Sequence, residues 1–308
     1  MKIKTISIVI PVFNESKILS ILNGRLINTL TKSLKTLRHE IIYVDDGSTD
    51  GTFSQIEKLY RESHIIQAIQ FSRNFGHHVA ITAGLEISRG DFVVIMDGDL
   101  QDQPEEIPNL FQKISNGYDI VRAERVGIQF GTLKRLFSGV FNWFVKRITN
   151  DAVDTRSGIF RIMTRQVVDN VLRLHEHDRY LTGMISWTGF LQTSIPVKHG
   201  ARLSGKTKYN FARQLKLALS AIYSFSEFPQ KIVVLALVMS ILLPLLILGY
   251  ILSYKAYSQN LVLIMFTIIL LQESVFAVIA TMFLSRIYIE SRNRPLYIVK
   301  KHLAINKK

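Results

Sequence analysis

Residues 92–105, Phe-Val-Val-Ile-Met-Asp-Gly-Asp-Leu-Gln-Asp-Gln-Pro-Glu, join a short apolar run to a cluster of carboxylates. The apolar part has the length of a buried β-strand, and the glycine and proline that follow are typical of the turn that ends one. Asp97 and Asp99 can both reach one hard cation, and Gln101 offers a further oxygen on the same side of an extended backbone. The stretch therefore predicts a strand whose end holds Mg²⁺ or Mn²⁺. Because such ions usually complete their shell with phosphate oxygens, it also predicts a diphosphate ligand.

Three more apolar runs precede this one, each bounded by turn residues: Ile6 to Pro11, Glu40 to Val44 and Ile65 to Phe71. Amphipathic stretches separate them. Continuous apolar runs that alternate with helical patterns indicate parallel strands covered by helices on both faces, which is the doubly wound α/β arrangement. The sequence therefore predicts an α/β fold for the first part of the chain.

Polar clusters follow three of the four predicted strands. Asn14 and Glu15 follow the first strand, Asp45 and Asp46 follow the second, and the Asp97 cluster follows the fourth. Each cluster alone is compatible with an ordinary solvated turn, because Asp, Asn and Gly are common turn residues. Ligands of such sheets bind beyond the carboxyl ends of the strands, so three clusters on one rim predict a binding site.

The composition limits the class of protein. The chain has 308 residues, of which 48% are hydrophobic and 20% charged, so it carries enough apolar surface to fold and is not a disordered chain. Its net charge of +14 fits nucleic acid, anionic lipid or a phosphorylated substrate as partner. The absence of cysteine excludes disulfides, thiol catalysis and Cys-ligated zinc.

Two long apolar stretches lie in the last quarter of the chain, at Ile232 to Leu252 and Leu261 to Leu284. Each is long enough to cross the ~30 Å hydrocarbon core as a helix. The alternative, two buried helices of a soluble core, is disfavoured because such helices seldom lack a polar face over this length. Gln272 and Glu273 interrupt the second stretch, and we expect Glu273 to serve either a helix contact or a function.

Basic residues flank both ends of the predicted hairpin, whereas the connection between the two spans holds only Lys255. The flanking residues are Arg213, Lys216, Lys231, Arg286, Arg292, Arg294, Lys300 and Lys301. Under the positive-inside rule, this asymmetry predicts a multi-pass protein of the inner membrane with both termini and the α/β domain in the cytoplasm.

Two further segments have the pattern of helices that lie at a membrane surface. Residues 130–148 interleave basic and aromatic side chains at helical spacing, and residues 210–230 lead into the first span. Nucleic-acid binding would also use basic and aromatic residues, but the adjacent hairpin makes lipid the favoured partner.

Four motifs together resemble a known family. They are residues 10–15 (Ile-Pro-Val-Phe-Asn-Glu), residues 44–52 (Val-Asp-Asp-Gly-Ser-Thr-Asp-Gly-Thr), residues 72–77 (Ser-Arg-Asn-Phe-Gly-His) and residues 97–105. The chain resembles family 2 glycosyltransferases of GT-A fold, and more narrowly the polyprenyl-phosphate glycosyltransferases. The similarity extends to residues 286–288 and to Asn-Arg-Pro-Leu-Tyr at residues 293–297, after the second span.

The resemblance implies roles for particular residues. Those that match nucleotide-sugar-binding positions are Pro11, Phe13, Glu15, Val44, Asp46, Asp97, Gly98, Asp99, Arg125 and Arg135. The metal positions are those of Asp97, Asp99 and Gln101, and Asp99 also counts among the catalytic positions. Arg202 and Lys208 match a loop that closes on donor and acceptor, where cations would screen two approaching phosphates. Asp154 matches a proposed general base, although it could instead orient the acceptor, because a phosphate monoester is already largely ionised at neutral pH.

Taken together, the sequence predicts an inverting, metal-dependent hexosyltransferase that uses a nucleotide sugar, with UDP-glucose the first choice, and undecaprenyl phosphate. The predicted parts are a GT-A domain (1–209), a juxtamembrane helix (210–230), a transmembrane hairpin (231–285) and a basic cytoplasmic tail (286–308). We expect a homo-oligomer and no nucleic acid. The alternatives are the same chemistry with mannose, galactose or N-acetylglucosamine, a polysaccharide synthase, and a non-catalytic membrane scaffold.

Overall fold

The computed structural model describes residues 4–126, 158–177, 179–198, 228–254 and 259–305. The chain forms two compact units. One consists of Met1–Leu217 together with Pro295–Lys308, and the other of Ala218–Arg294. We call them the catalytic unit and the membrane unit, and each is described by itself.

The catalytic unit is built on a sheet of eight strands within the described residues. They are β1 (Thr5–Val12), β2 (Arg38–Asp45), β3 (Ile66–Phe71), β4 (Phe92–Ile95), β5 (Ile120–Val126), β6 (Arg161–Thr164), β7 (Gln192–Lys198) and β8 (Val299–Leu303). Their order across the sheet is β7-β5-β6-β4-β1-β2-β3-β8. Strands β4, β1, β2 and β3 run parallel, whereas β6 and β8 run antiparallel to their neighbours. The four predicted strands and the α/β fold class are confirmed.

Helices cover both faces of this sheet. The described helices of the unit are α1 (Leu19–Ser33), α2 (Thr52–Glu62), α3 (His77–Ile87), α4 (Ile107–Ile114), α5 (Arg165–Leu172) and α6 (Leu181–Trp187), with a 3-10 turn at Pro104–Glu106. One core lies between the sheet and α1, α2 and α4, and a second core lies between the sheet and α3, α5 and α6.

Strand β1 shows why both faces must be covered. Ile8 and Ile10 point into the first core and Val9 into the second, and all three are fully buried. Each such side chain contributes roughly 1.5–3 kcal/mol when it leaves water. A strand that is apolar on both sides is stable only in the middle of a layered fold, which is where β1 lies.

Strand β8 comes from the segment after the second long helix. It pairs antiparallel with β3, and just before it the Ser72 backbone N–H donates to the carbonyl oxygen of Ile298 over 3.0 Å. The ring of Tyr297 stacks on Phe71 with the ring centres 4.7 Å apart. Residues 299–303, treated above as part of a basic tail, are thus an edge strand. Its lysines suit that position, since charged side chains protect an open sheet edge from pairing with other chains.

The membrane unit contains two long helices, α7 (Phe228–Tyr254) and α8 (Gln259–Ser291). Within them, Gln230–Tyr250 and Leu263–Ser291 are long and apolar enough to cross a membrane, and neither segment is buried in the structure. Helix α8 continues past Leu284, where the predicted span ends. The predicted surface helices at 130–148 and 210–227 lie outside the described residues.

Candidate active site

A cavity of about 210 Å³ opens beyond the carboxyl ends of β1, β2 and β4. The residues that line it are Pro11, Val12, Phe13, Glu15, Asp46, His77, Asp97, Gly98 and Asp99. Strands β2 and β4 lie on opposite sides of β1, so the chain changes direction across the sheet at this point. Such a switch point is where open α/β sheets bind ligands.

The ends of β1 and β2 are joined by hydrogen bonds between their loops. The backbone N–H of Asn14 donates to Ser48 Oγ over 2.9 Å, and the N–H of Thr49 donates back to Asn14 Oδ1 over 2.9 Å. Asn14 adopts a positive φ of 58°, which asparagine tolerates better than most residues. One residue further on, the Glu15 N–H donates to Thr52 Oγ1 over 2.9 Å. These bonds fix the backbone that presents Phe13 and Glu15 to the cavity.

Asp46 holds the loop that follows β3. Its carboxylate accepts hydrogen bonds from the backbone N–H groups of Phe75, at 2.7 Å, and Gly76, at 3.0 Å. Burial raises the pKa of Asp46, and the two amide donors oppose that rise. Asp46 lines the cavity as the sequence analysis expects, but its hydrogen bonds give it a role in positioning the start of α3.

The neighbouring Asp45 is fully buried and serves the same turn. Its carboxylate accepts the backbone N–H of Ser48 over 3.0 Å and the side-chain amide of Gln70 over 3.3 Å. Burial is the main cause that raises the pKa of Asp45, and the bonds from Ser48 and Gln70 act against it. Asp45 therefore stabilises the loop and does not line the cavity.

The loop after β4 presents the acidic cluster. A Cβ atom at Gly98 would lie 2.8 Å from Val12 Cγ1, so only glycine lets this loop approach the end of β1 so closely. Leu100 turns the chain with φ 62° and buries its side chain, and the backbone N–H of Gln101 donates to Asp99 Oδ1 over 3.1 Å. This tight turn places Asp97 and Asp99 side by side on the cavity wall.

A bidentate ion pair anchors the far end of this loop. The Arg25 guanidinium, on α1, donates to both carboxylate oxygens of Glu105 at 2.9 and 2.6 Å. The Arg25 hydrogen bond lowers the pKa of Glu105 from its usual value. The pair is partly exposed, so it fixes geometry more than it adds stability.

One carboxylate oxygen of Asp97 has no hydrogen-bond partner among the residues that the structure describes. This oxygen, Oδ1, is buried. His77 Nε2 lies 3.2 Å from this oxygen, close enough for an ion pair when the imidazole is protonated. A buried carboxylate oxygen without a donor is costly unless a further positive group reaches it.

The donor chemistry of the cavity fits a divalent cation. Four carboxylates line it, from Glu15, Asp46, Asp97 and Asp99, so an anionic ligand needs a positive charge to enter. Oxygen donors and an unsatisfied oxygen on Asp97 suit Mg²⁺ or Mn²⁺. Within the described residues, no three side chains of His, Cys, Asp or Glu converge as a complete metal site. A cation held here would therefore need oxygen ligands beyond the side chains that the structure describes.

The remaining predicted site residues lie in different places. Val44 is fully buried in the second core and does not line the cavity. Arg125 lies near the end of β5, in register with Val197 of β7. Arg135, Asp154, Arg202 and Lys208 lie outside the described residues.

Sequence reasoning gave no role to two residues of the cavity wall, Val12 and His77, and of these only His77 is polar. The motif Ser-Arg-Asn-Phe-Gly-His at residues 72–77 supports the family resemblance, but it contains no carboxylate pair that would mark it as a binding loop. The available signal is the position of His77 in the sequence. It follows a glycine at the start of a helix, a short loop after a buried parallel strand, and such helix starts commonly bind anionic ligands.

The fold and the cavity define a class: an α/β protein with an acidic cavity at the switch point of a mostly parallel sheet and two helices of membrane-spanning length. Residues 7–172 match Glycosyl transferase family 2, and the chain belongs to that family. It is a glycosyltransferase.

Two relatives and one solved structure give the range of similarity. The prophage bactoprenol glucosyl transferase homolog of Escherichia coli K12 is 35% identical over 96% of this chain and 98% of its own. The undecaprenyl-phosphate 4-deoxy-4-formamido-L-arabinose transferase of Salmonella choleraesuis is 31% identical, over 97% and 94%. The crystal structure of glucosyl-3-phosphoglycerate synthase from Mycobacterium tuberculosis, in complex with Mn²⁺, UDP and phosphoglyceric acid, superposes with a TM-score of 0.50 at 16% identity, over 71% and 76%. This last likeness shows that the fold is shared.

Proposed function

We propose that this protein transfers a sugar from a nucleotide diphosphate to undecaprenyl phosphate at the cytoplasmic face of the inner membrane. The observation that carries the proposal is an acidic cavity at the switch point of a family 2 domain, in a chain that also has two exposed apolar helices of membrane length. A lipid acceptor explains why a transferase would need such helices. The two relatives named for bactoprenol and undecaprenyl phosphate support the same acceptor.

The described cavity suggests how the donor lies. Pro11, Phe13 and Glu15, at the end of β1, would contact the nucleoside, with the 40% exposed ring of Phe13 available for packing. The diphosphate would extend past Gly98 toward Asp97 and Asp99, since all three residues line the cavity. Asp97, Asp99 and Gln101 would hold Mg²⁺ or Mn²⁺, which would offset the negative charge of the departing nucleoside diphosphate.

The reaction proceeds in this proposal by a single displacement. A phosphate oxygen of the acceptor attacks the anomeric carbon while the bond from that carbon to the diphosphate oxygen breaks, so the configuration inverts. Arg125 and Arg135 would lie near the donor phosphates, and Arg202 and Lys208 would close on donor and acceptor, since two anionic groups approach each other only when cations screen them. Asp154 would orient the acceptor. It would contribute little as a base, because the acceptor phosphate is already largely ionised at neutral pH.

The first test measures the reaction itself. Membranes that contain the full chain are incubated with undecaprenyl phosphate and a panel of radiolabelled nucleotide sugars, and the extracted lipid is analysed. We expect label from UDP-glucose. One relative is named for the transfer of 4-deoxy-4-formamido-L-arabinose. Label from a different sugar would therefore identify a different donor and leave the proposed type of reaction, sugar transfer to a lipid phosphate, unchanged. A lipid fraction that takes up no label from any donor would contradict the proposal.

The second test addresses the acidic cluster. We expect Asp99→Ala to abolish transfer of label from nucleotide sugar to lipid, because the cation and diphosphate lose a ligand. Asp169→Ala is the matched control, since Asp169 is an exposed residue of α5 that pairs with Arg165 one helical turn away and lies outside the cavity. Transfer by Asp99→Ala at the control rate would contradict the mechanism.

The topology is part of the proposal. Both termini and the catalytic unit would face the cytoplasm, so a reporter fused after residue 308 should be active only on that side, whereas a tag inserted at Lys255 should be accessible from the other. We also propose a homo-oligomer, which cross-linking in intact membranes would detect.

A further inference from the structure

His77 occupies a defined position at the metal end of the cavity. It is the first residue of α3, its side chain is half exposed, and its Nε2 lies 3.2 Å from the buried Oδ1 of Asp97. The imidazole is within ion-pair distance of that oxygen, which has no hydrogen-bond partner in the described part of the chain. The pair therefore joins a residue without an assigned role to one of the expected metal ligands.

Backbone hydrogen bonds just before His77 fix its position. The two N–H groups just before it, on Phe75 and Gly76, donate to Asp46, so the start of α3 is tied to the end of β2. Gly76 has φ 110°, a conformation that L-residues with side chains rarely adopt, and it lets the chain turn sharply into the helix. The direction in which His77 leaves the helix is therefore set by Asp46 and Gly76.

Aromatic packing supports the same loop from its other side. Phe75 meets Phe71 edge to face with the ring centres 5.6 Å apart, and Phe71 stacks on Tyr297. The hydroxyl of Tyr297 donates to Glu86 of α3. The loop at residues 72–77 is thus held at both ends. A loop fixed in this way is expected where a functional side chain must be placed accurately.

We propose that His77 is a positioning residue of the metal site, and that its imidazole holds the Asp97 carboxylate with its oxygens directed to the cation and diphosphate. Residues that orient a metal ligand contribute to metal affinity although they do not touch the ion. This inference rests on the proposed function. It adds His77 to the proposed site as the residue that orients the Asp97 carboxylate before the nucleotide binds.

The test is a direct measurement of Mn²⁺ binding to the full-length protein in detergent, in the presence of UDP, by the loss of the free-ion EPR signal. His77→Phe keeps a ring of similar size and removes the nitrogen, and we expect it to weaken Mn²⁺ binding by about tenfold. His77→Gln restores an N–H donor at a similar reach and should recover most of the affinity. At saturating Mn²⁺, the transfer rate of His77→Phe should return toward the wild-type rate, because the residue acts through metal affinity. His64→Phe, at an exposed histidine before β3, is the matched control and should bind Mn²⁺ as the wild type does.

The possible outcomes test the positioning role of His77 and the proposed function separately. Unchanged Mn²⁺ affinity in His77→Phe, or equal loss in His77→Phe and His77→Gln, would overturn the positioning role. A ¹⁴N coupling to bound Mn²⁺ that disappears in His77→Phe would also overturn it, because His77 would then be a direct ligand. If the wild type binds Mn²⁺ with UDP but labels no lipid, the proposed function fails while the inference about His77 stands.

Discussion

Two aspartates at the rim of one sheet, Asp46 after β2 and Asp97 after β4, have opposite surroundings. Asp46 accepts hydrogen bonds from two backbone amides, whereas Oδ1 of Asp97 accepts none within the described residues although it is buried. Both line the same cavity. A carboxylate that backbone donors satisfy stabilises the fold, and one that keeps an unsatisfied buried oxygen costs stability and is available to bind a cation. The difference identifies Asp46 as a residue that stabilises the loops and leaves Asp97 as the candidate cation ligand.

The largest effect should come from Asp97→Ala. We expect transfer to fall by about 10²–10³-fold or more, the usual loss when a group that stabilises transition-state charge is removed. The melting temperature of the purified protein should change little, because within the described residues the buried Asp97 Oδ1 accepts no hydrogen bond and its ion pair with His77 is partly exposed. Rate and melting curve are measured on one preparation. A clear drop in melting temperature would show that Asp97 supports the fold as Asp46 does.

Gly47→Ala should give the next effect, this time on stability. Gly47 has φ +74°, and a Cβ there would lie 2.4 Å from the carbonyl carbon of Arg73, which is backbone and cannot rotate away. Strain and overpacking together should cost about 3 kcal/mol. For a unit of this size we expect the melting temperature to fall by roughly 6–12 °C. Gly117→Ala is the control, since Gly117 also has positive φ but has no atom within contact of a Cβ. An equal loss in both variants would assign the effect to φ alone.

Asp46→Ala should destabilise the start of α3 more than the protein as a whole. The N–H groups of Phe75 and Gly76 lose their acceptor, which should cost about 2 kcal/mol. Hydrogen exchange of peptides that cover residues 72–80 is the direct measurement, and exchange there should accelerate while peptides from β1 stay protected. Uniform acceleration across the sheet would instead indicate global destabilisation. Mn²⁺ affinity should also fall, because His77 loses its fixed position.

The smallest effect should be a pH dependence that arises from His78, the neighbour of His77. Burial, with the nearby His77 and Arg161, lowers the pKa of His78 to about 3, far below its usual value of 6.5. Between these two values the unfolded chain binds a proton that the folded chain does not, so stability rises with pH in this window and is lost as pH falls. The melting temperature should therefore decrease from about pH 7 to about pH 5. His78→Phe should flatten this slope, and an unchanged slope would assign it to other groups.

The sequence predicted more of the scaffold than of the site. Continuous apolar runs predicted β1 to β4, and the polar clusters after three of them predicted the rim, because strand direction alone brings those clusters together. The contact between His77 and Asp97 could not be predicted, since it depends on how the loop after β3 folds over Asp46. The resemblance places Val44 at the nucleotide, whereas its side chain is fully buried in the second core, so its role at the ligand stays a prediction.

Strand β8 was missed for a related reason. Residues 299–303 include two lysines and a histidine, so the segment has the composition of a solvated tail. An edge strand needs only one partner and tolerates charge on its exposed side, so the hydrophobic pattern is weak there. The aromatic residue just before it was the available signal, since Tyr297 packs on Phe71.

The position of β8 in the chain has a consequence for biosynthesis. A ribosome that makes this protein completes β3 early but releases the strand that covers its edge only after both long helices have emerged. During that interval the edge of β3 lacks its neighbour and is open to pairing with other nascent chains. The sheet of the catalytic unit can therefore be completed only after both long helices of the membrane unit have been synthesised.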